Sequence, residues 1–143
     1  MRTIAGLLLA LTLALGLPRV AQADDLSPAD QASIRGMITG QIEAFRRDDG
    51  NAAYGFASPT IQGLFPTPDM FMSMVRNAYQ PVYRPQSVTF GQLGDSPVGP
   101  LQKVFLVGPD GKSYVAVYSL QRQPDGTWRI NGCTLVEDTG ASI

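Results

Sequence analysis

Two adjacent carboxylates, Asp48-Asp49, and three phenols, Tyr54, Tyr83 and Tyr118, are the side chains in this sequence suited to proton transfer. Facing each other across a pocket, an Asp and a Tyr support proton abstraction, in which the Asp takes the proton and hydrogen-bond donors hold the developing oxyanion. Asp48 or Asp49 is the candidate base, with Tyr54, Tyr83 or Tyr118 as donor. The plainer role of the pair is capping, because Asp48-Asp49-Gly50-Asn51 is a turn cluster and either carboxylate suits the start of a short helix. A second candidate is Tyr83-Arg84. Pro81 and Pro85 bracket it, and a guanidinium beside a phenol on a fixed backbone suits a carboxylate or phosphate ligand. The same arginine also reads as an edge residue whose stem covers apolar surface.

What is missing narrows the chemistry further. The 143-residue chain has no histidine and one cysteine, Cys133. Ser-His-Asp and Cys-His catalysis, His-bearing zinc sites and thiolate metal sites are therefore unavailable. No glycine-rich phosphate loop follows a strand, so nucleotide chemistry has no support. No cofactor or metal is expected. Cys133 has no partner for an intrachain disulfide and reads as a small buried apolar residue with an inert thiol.

Residues 1–23 read as an export signal: Arg2, then the apolar run Ile4–Leu17, then Ala21-Gln22-Ala23. The run spans only about 21 Å as a helix against a hydrocarbon core of roughly 30 Å, which argues against a stable membrane anchor. Cleavage after Ala23 leaves residues 24–143 as a single domain in the periplasm. That mature chain loses two of its 11 basic residues, Arg2 and Arg19, and none of its 12 acidic ones. Its net charge is about −3, with no run of Lys or Arg to follow a phosphate backbone, so nucleic acid is not an expected partner.

The elements that must position these residues divide into a helical half and a strand half. Ser27-Pro28 with Asp30 predicts a helix start. Ile34, Met37, Ile38, Ile42 and Phe45 form its apolar stripe up to about Arg47, with Gln31, Arg35, Gln41 and Arg46 on the wet side. A short helix carries Ala52, Ala53, Tyr54 and Phe56. Ser58-Pro59 opens another turn, and Thr67-Pro68-Asp69 opens a helix with Met70, Phe71, Met74, Val75, Ala78 and Tyr79 on its apolar side. Val82-Tyr83-Arg84 is expected to run extended into a first strand, Ser87–Leu93, in an edge position.

Three further strands, Gln102–Val107, Lys112–Gln121 and Thr127–Val136, are joined by Pro109-Asp110-Gly111 and Pro124-Asp125-Gly126, which are hairpin signals. Tyr114, Ala116, Tyr118 and Leu120 share one face and Val115, Val117 and Ser119 the other, so both faces are expected to be at least partly covered. Glu137–Ile143 reads as a loose tail. The predicted core contains Phe45, Ile38, Phe71, Val104, Leu106, Tyr118, Trp128 and Ile130. The expected fold is α+β, with N-terminal helices packed on a curved, mainly antiparallel four-stranded sheet.

Ala44-Phe45-Arg46-Arg47-Asp48-Asp49 through Phe56-Ala57-Ser58-Pro59, Tyr79-Gln80-Pro81-Val82-Tyr83-Arg84-Pro85, and Asp125-Gly126-Thr127-Trp128-Arg129-Ile130-Asn131-Gly132-Cys133 together resemble one bacterial family, domain of unknown function 4864. That resemblance implies the nuclear-transport-factor-2-like, or cystatin-like, cone, in which helices close one end of a pocket on a curved sheet. It implies no reaction. Relatives of that fold include ketosteroid-isomerase-like enzymes, dehydratases and non-catalytic interaction domains, and they often dimerise through the open sheet face, so a homodimer is consistent with it.

Residues and resemblance together favour a non-catalytic exported domain that binds a small apolar or amphipathic ligand, or a partner protein, in or near the cone pocket. Tyr54, Tyr83, Arg84 and Tyr118 are its expected polar lining. The alternative is an isomerase or dehydratase using Asp48 or Asp49 with a tyrosine.

Overall fold

The structure, a computed structural model, describes Gly16 and residues 26–140. Apart from Gly16, the expected export signal lies outside the described residues. Among the described residues five helices come first: α1 (Pro28–Arg46), α2 (Gly50–Gly55), α3 (Pro59–Leu64), α4 (Pro68–Ala78) and α5 (Gln80–Tyr83). Four strands follow: β1 (Ser87–Gly94), β2 (Leu101–Val107), β3 (Ser113–Arg122) and β4 (Trp128–Glu137). They form one antiparallel sheet in the order β1-β2-β3-β4, so the expected α+β architecture and the edge position of β1 are both present. No helix among the described residues is long and apolar enough to cross a membrane.

Side-chain caps account for the starts of α1 to α4. Ser27, Asp49, Ser58 and Thr67 accept hydrogen bonds from the backbone N–H groups of Asp30, Ala52, Ile61 and Met70. At three of these starts a proline occupies the first turn, where its missing N–H costs nothing. The end of α1 is a Schellman motif. The Asp49 N–H donates to the Ala44 carbonyl at 2.9 Å and the Asp48 N–H to that of Phe45 at 3.0 Å. Asp48 takes the left-handed conformation, φ 53°, which Asp tolerates better than most residues that carry a side chain. Asp48-Asp49 is therefore a helix stop followed by a helix start.

The buried face of α1 carries Ile34, Ile38, Ile42, Ala44 and Phe45, and it also carries Gln41, which lies on the buried side instead of the wet side. Gly40 lies where α2 crosses α1. A Cβ there would stand 2.6 Å from the Phe56 ring, so the glycine allows the close approach. Val82-Tyr83-Arg84 does not run extended as expected. Pro81 sits in the first turn of α5, a one-turn helix, and Pro85 ends it, since a residue before proline is driven out of the helical region.

In the sheet, Asp110 and Asp125 accept the Lys112 and Thr127 N–H groups, and Gly111 and Gly126 adopt φ 79° and 86°, which fixes the two hairpins. Register shifts put an extra residue into β1 between Phe90 and Leu93 and into β4 at Asn131, opposite Ser119 and Leu120, and such bulges bend the strands that carry them, the local device that curves a sheet. All eight predicted core residues are buried. The two sheet faces are covered unequally: Val115, Val117 and Ser119 on the outer face are half-buried, in keeping with partial cover. The helices lie on the face of Val104, Leu106, Ala116, Tyr118, Leu120 and Ile130, while Phe105 and Val136 on the outer face are 43% and 53% exposed.

Candidate functional site

Between the helices and the concave face of the sheet lies a cavity of about 480 Å³. This falls within the range of about 300–1,000 Å³ typical of ligand sites. Most of its wall comes from four parts of the chain, and Tyr79 and Val82, just before and within α5, add to it. α1 supplies Gln41 and Phe45, α3 and the residue after it supply Ile61, Leu64 and Phe65, α4 supplies Phe71, Met74, Val75 and Ala78, and the sheet supplies Tyr118, Ile130 and Cys133. The apolar side of α4, which its spacing marks as core filling, is thus partly a pocket wall.

α3 buries none of its residues fully and is held by its two ends. At its start, Ala57 forms a parallel bridge to Ile130, with the Ser58 N–H donating to the Ile130 carbonyl at 2.8 Å and the Ile130 N–H to that of Phe56 at 2.8 Å. Ser58 Oγ also lies 2.7 Å from Asn131 Oδ1. At its other end the Tyr54 hydroxyl lies 2.6 Å from the Phe65 carbonyl oxygen and 3.1 Å from that of Gln62. Tyr54 is therefore a brace behind the pocket wall, and its hydroxyl is already in use.

Tyr83 and Arg84 do come together, but outside the pocket and around Asp48. The Tyr83 hydroxyl donates to Asp48 Oδ1, and Arg84 Nη2 donates to Asp48 Oδ2 at 2.9 Å. Arg76 lies 3.9 Å from the same carboxylate, and the Arg84 guanidinium stacks 3.9 Å from the Tyr83 ring centroid. Arg84 also donates to the Phe45 carbonyl at the end of α1. The Tyr83 hydrogen bond, then the two arginines, hold the Asp48 carboxyl below its ordinary value. This cluster ties α1 to α4 and α5. Asp49 is occupied in capping α2. Neither carboxylate lines the cavity, so no candidate base faces a pocket tyrosine.

Of the four residues expected as polar lining, Tyr118 alone is in the wall. It is 1% exposed, and its hydroxyl has no hydrogen-bond partner among the described residues. The Cys133 thiol, paired across the strands with Tyr118, is near enough for the two groups to perturb each other's ionisation, yet it gives the hydroxyl no bond of normal geometry. A thiol is a weak hydrogen-bond partner in either role. Burial pushes Tyr118 well above the usual phenol value; Cys133, expected to be buried, is half-buried in the cavity wall, yet the loss of water around its thiol pushes it up to about 12. Tyr79 donates its hydroxyl to the Cys133 carbonyl at 3.1 Å and is also raised, by burial first and by Cys133 second. The site therefore holds two phenols and a thiol, all neutral.

Sequence reasoning missed Gln41 and Tyr79 as lining residues. Gln41 is 4% exposed, and its amide NH₂ donates to the Ala53 carbonyl at 3.2 Å. No donor among the described residues reaches its side-chain oxygen. A polar residue one step outside an apolar helical stripe was the available signal. Among the described residues, no group of three or more His, Cys, Asp or Glu is placed to hold a metal ion.

Fold and site together define a small α+β domain whose helices cover one face of an open antiparallel sheet and leave an uncharged, largely apolar cavity against it. The chain belongs to the family described as a domain of unknown function (DUF4864), whose profile matches residues 27–143. No curated protein and no solved structure matches it.

Proposed function

We propose that this domain is a non-catalytic, exported binding module that takes a small apolar or amphipathic ligand into the pocket of a nuclear-transport-factor-2-like cone. The observation that carries this reading is the cavity of about 480 Å³ on the concave face, with a fully buried tyrosine hydroxyl left unpaired in its wall. A cavity of this size costs packing contacts, and an unsatisfied buried hydroxyl costs about 1–3 kcal/mol more. A purely structural domain gains from filling both. The isomerase alternative needs a carboxylate in the pocket, whereas Asp48 and Asp49 are spent on the end of α1 and the start of α2.

The test is titration with a neutral fluorescent probe, N-phenyl-1-naphthylamine, followed by its emission. Saturable binding to the folded protein is expected, and a mouth-blocking variant, Ala78→Trp, is expected to abolish it while keeping the wild-type melting temperature. Ala78 is exposed at the end of α4 and lines the cavity, so the larger ring has room to lie across the entrance. Absence of saturable binding, or equal binding to a folded Ala78→Trp protein, defeats the reading.

A further inference from the structure

The cavity is polar at its floor and apolar at its mouth, the reverse of a site that leaves a charged head group in water. At the mouth, Leu64 is 68% exposed, with Ala78 exposed beside it. At the floor, Gln41 and Tyr118 are 4% and 1% exposed. Each of those two side chains keeps one hydrogen-bonding group unspent: an acceptor, the Gln41 side-chain oxygen, and a donor, the Tyr118 hydroxyl. Among the described residues no Asp, Glu, Lys or Arg lines the cavity, so none of them compensates a charge in it.

We infer that the pocket takes an uncharged, mainly apolar molecule carrying a single hydroxyl or carbonyl group, seated with that group inward at Gln41 and Tyr118 and its apolar body toward the α3–α4 mouth. This deepens the binding reading and rests on it. A ligand carbonyl accepts from Tyr118, and a ligand hydroxyl also donates to Gln41, so each satisfies a group that the folded chain leaves unpaired. A carboxylate or ammonium in the same place loses its hydration without gaining a counter-charge. The Tyr118 hydroxyl has no exposed area of its own, so seating an acceptor on it takes a small movement of the wall. The neighbouring Cys133 thiol, free to turn about one bond, is a part able to give way.

The experiment displaces N-phenyl-1-naphthylamine with four ligands of one shape: 2-acetylnaphthalene, 2-naphthalenemethanol, 2-ethylnaphthalene and 2-naphthoate. The ketone and alcohol are expected to bind about tenfold more tightly than the hydrocarbon, the size of one well-made hydrogen bond. The carboxylate is expected to bind at least about tenfold more weakly than the ketone. Tyr118→Phe is expected to erase the ketone's advantage over 2-ethylnaphthalene without weakening the hydrocarbon, and Gln41→Met to lower the alcohol's affinity more than the ketone's. Naphthoate binding as tightly as the ketone, or a ketone advantage that survives Tyr118→Phe, overturns the inference while leaving the binding function standing. Binding of none of the four, together with no probe binding, overturns both.

Discussion

Replacing Tyr118 with phenylalanine should make this protein more stable, which is the reverse of the usual effect of cutting a buried group. The ring lies in the core cluster with the side chain 1% exposed, so Phe keeps the apolar packing and removes only the oxygen. That oxygen has no hydrogen-bond partner among the described residues. An unsatisfied buried hydroxyl costs about 1–3 kcal/mol, and the weak thiol contact from Cys133 places this case toward the lower end. A gain of about 1–2 kcal/mol in a domain of this size corresponds to a rise in Tm of about 4–8 °C. Tyr79 is the internal control. Its hydroxyl donates to the Cys133 carbonyl at 3.1 Å, so Tyr79→Phe should lose about 1 kcal/mol and melt about 4 °C lower. Differential scanning calorimetry of both variants reads the two signs directly. A Tyr118→Phe protein that melts at or below the wild-type temperature refutes the claim that the hydroxyl is unpaired, and with it the donor assigned to the pocket floor.

Other expected outcomes follow from the same structure. Phe45→Ala and Trp128→Ala should each cost about 3–5 kcal/mol, enough to threaten folding, and near-wild-type urea midpoints for both would show the core to be misplaced. The lowered ionisation of Asp48 makes its contribution to stability present above the unfolded value of 3.8 and lost as pH falls through its folded value, so urea midpoints of wild type and Asp48→Asn should differ at neutral pH and converge in acid. A gap that persists in acid would mean that the carboxylate charge is not what the arginines hold. Cys133, raised to about 12, should react with a thiol reagent many times more slowly in native than in denatured protein, and fast native labelling or a Cys133-linked dimer would contradict this. Protein recovered from a periplasmic extract should begin at Asp24, and N-terminal sequencing that finds Met1 retained in the membrane fraction would rule out the cleaved export signal.

Much of the fold was legible because its signals are local. Ser-Pro and Thr-Pro pairs start three helices, and Asp-Gly pairs turn two hairpins, with donor and acceptor within three residues of each other. The site was less legible because its signals are long-range. Tyr83 and Arg84 read as a ligand clamp until Asp48, more than thirty residues earlier, is brought against them and uses their donors. Tyr54 looked like pocket lining until the carbonyl of Phe65 came round to it. Tyr118 was recoverable, since it alternates with Ala116 and Leu120 on the covered face, but strand alternation cannot reveal that its hydroxyl lacks a partner.

Gln41 shows why a pocket hides more deeply in sequence than a core does. On a helix that packs only against protein, a glutamine inside the buried face is an error to be avoided, because its amide has four hydrogen-bonding sites to satisfy. Here one N–H is satisfied by the Ala53 carbonyl, which fixes the side chain, and the side-chain oxygen is left over. The same pattern recurs at Tyr118, where ten residues of strand spend their backbone groups on β2 and β4 and one side-chain hydroxyl is left without a bond. Two unspent polar groups on different elements converge on one uncharged cavity, and the fully buried one, the Tyr118 hydroxyl, lowers the stability of the empty fold. A molecule that supplies its missing partner recovers that loss on binding, so the stability that the hydroxyl lowers in the unliganded domain becomes part of the ligand's affinity.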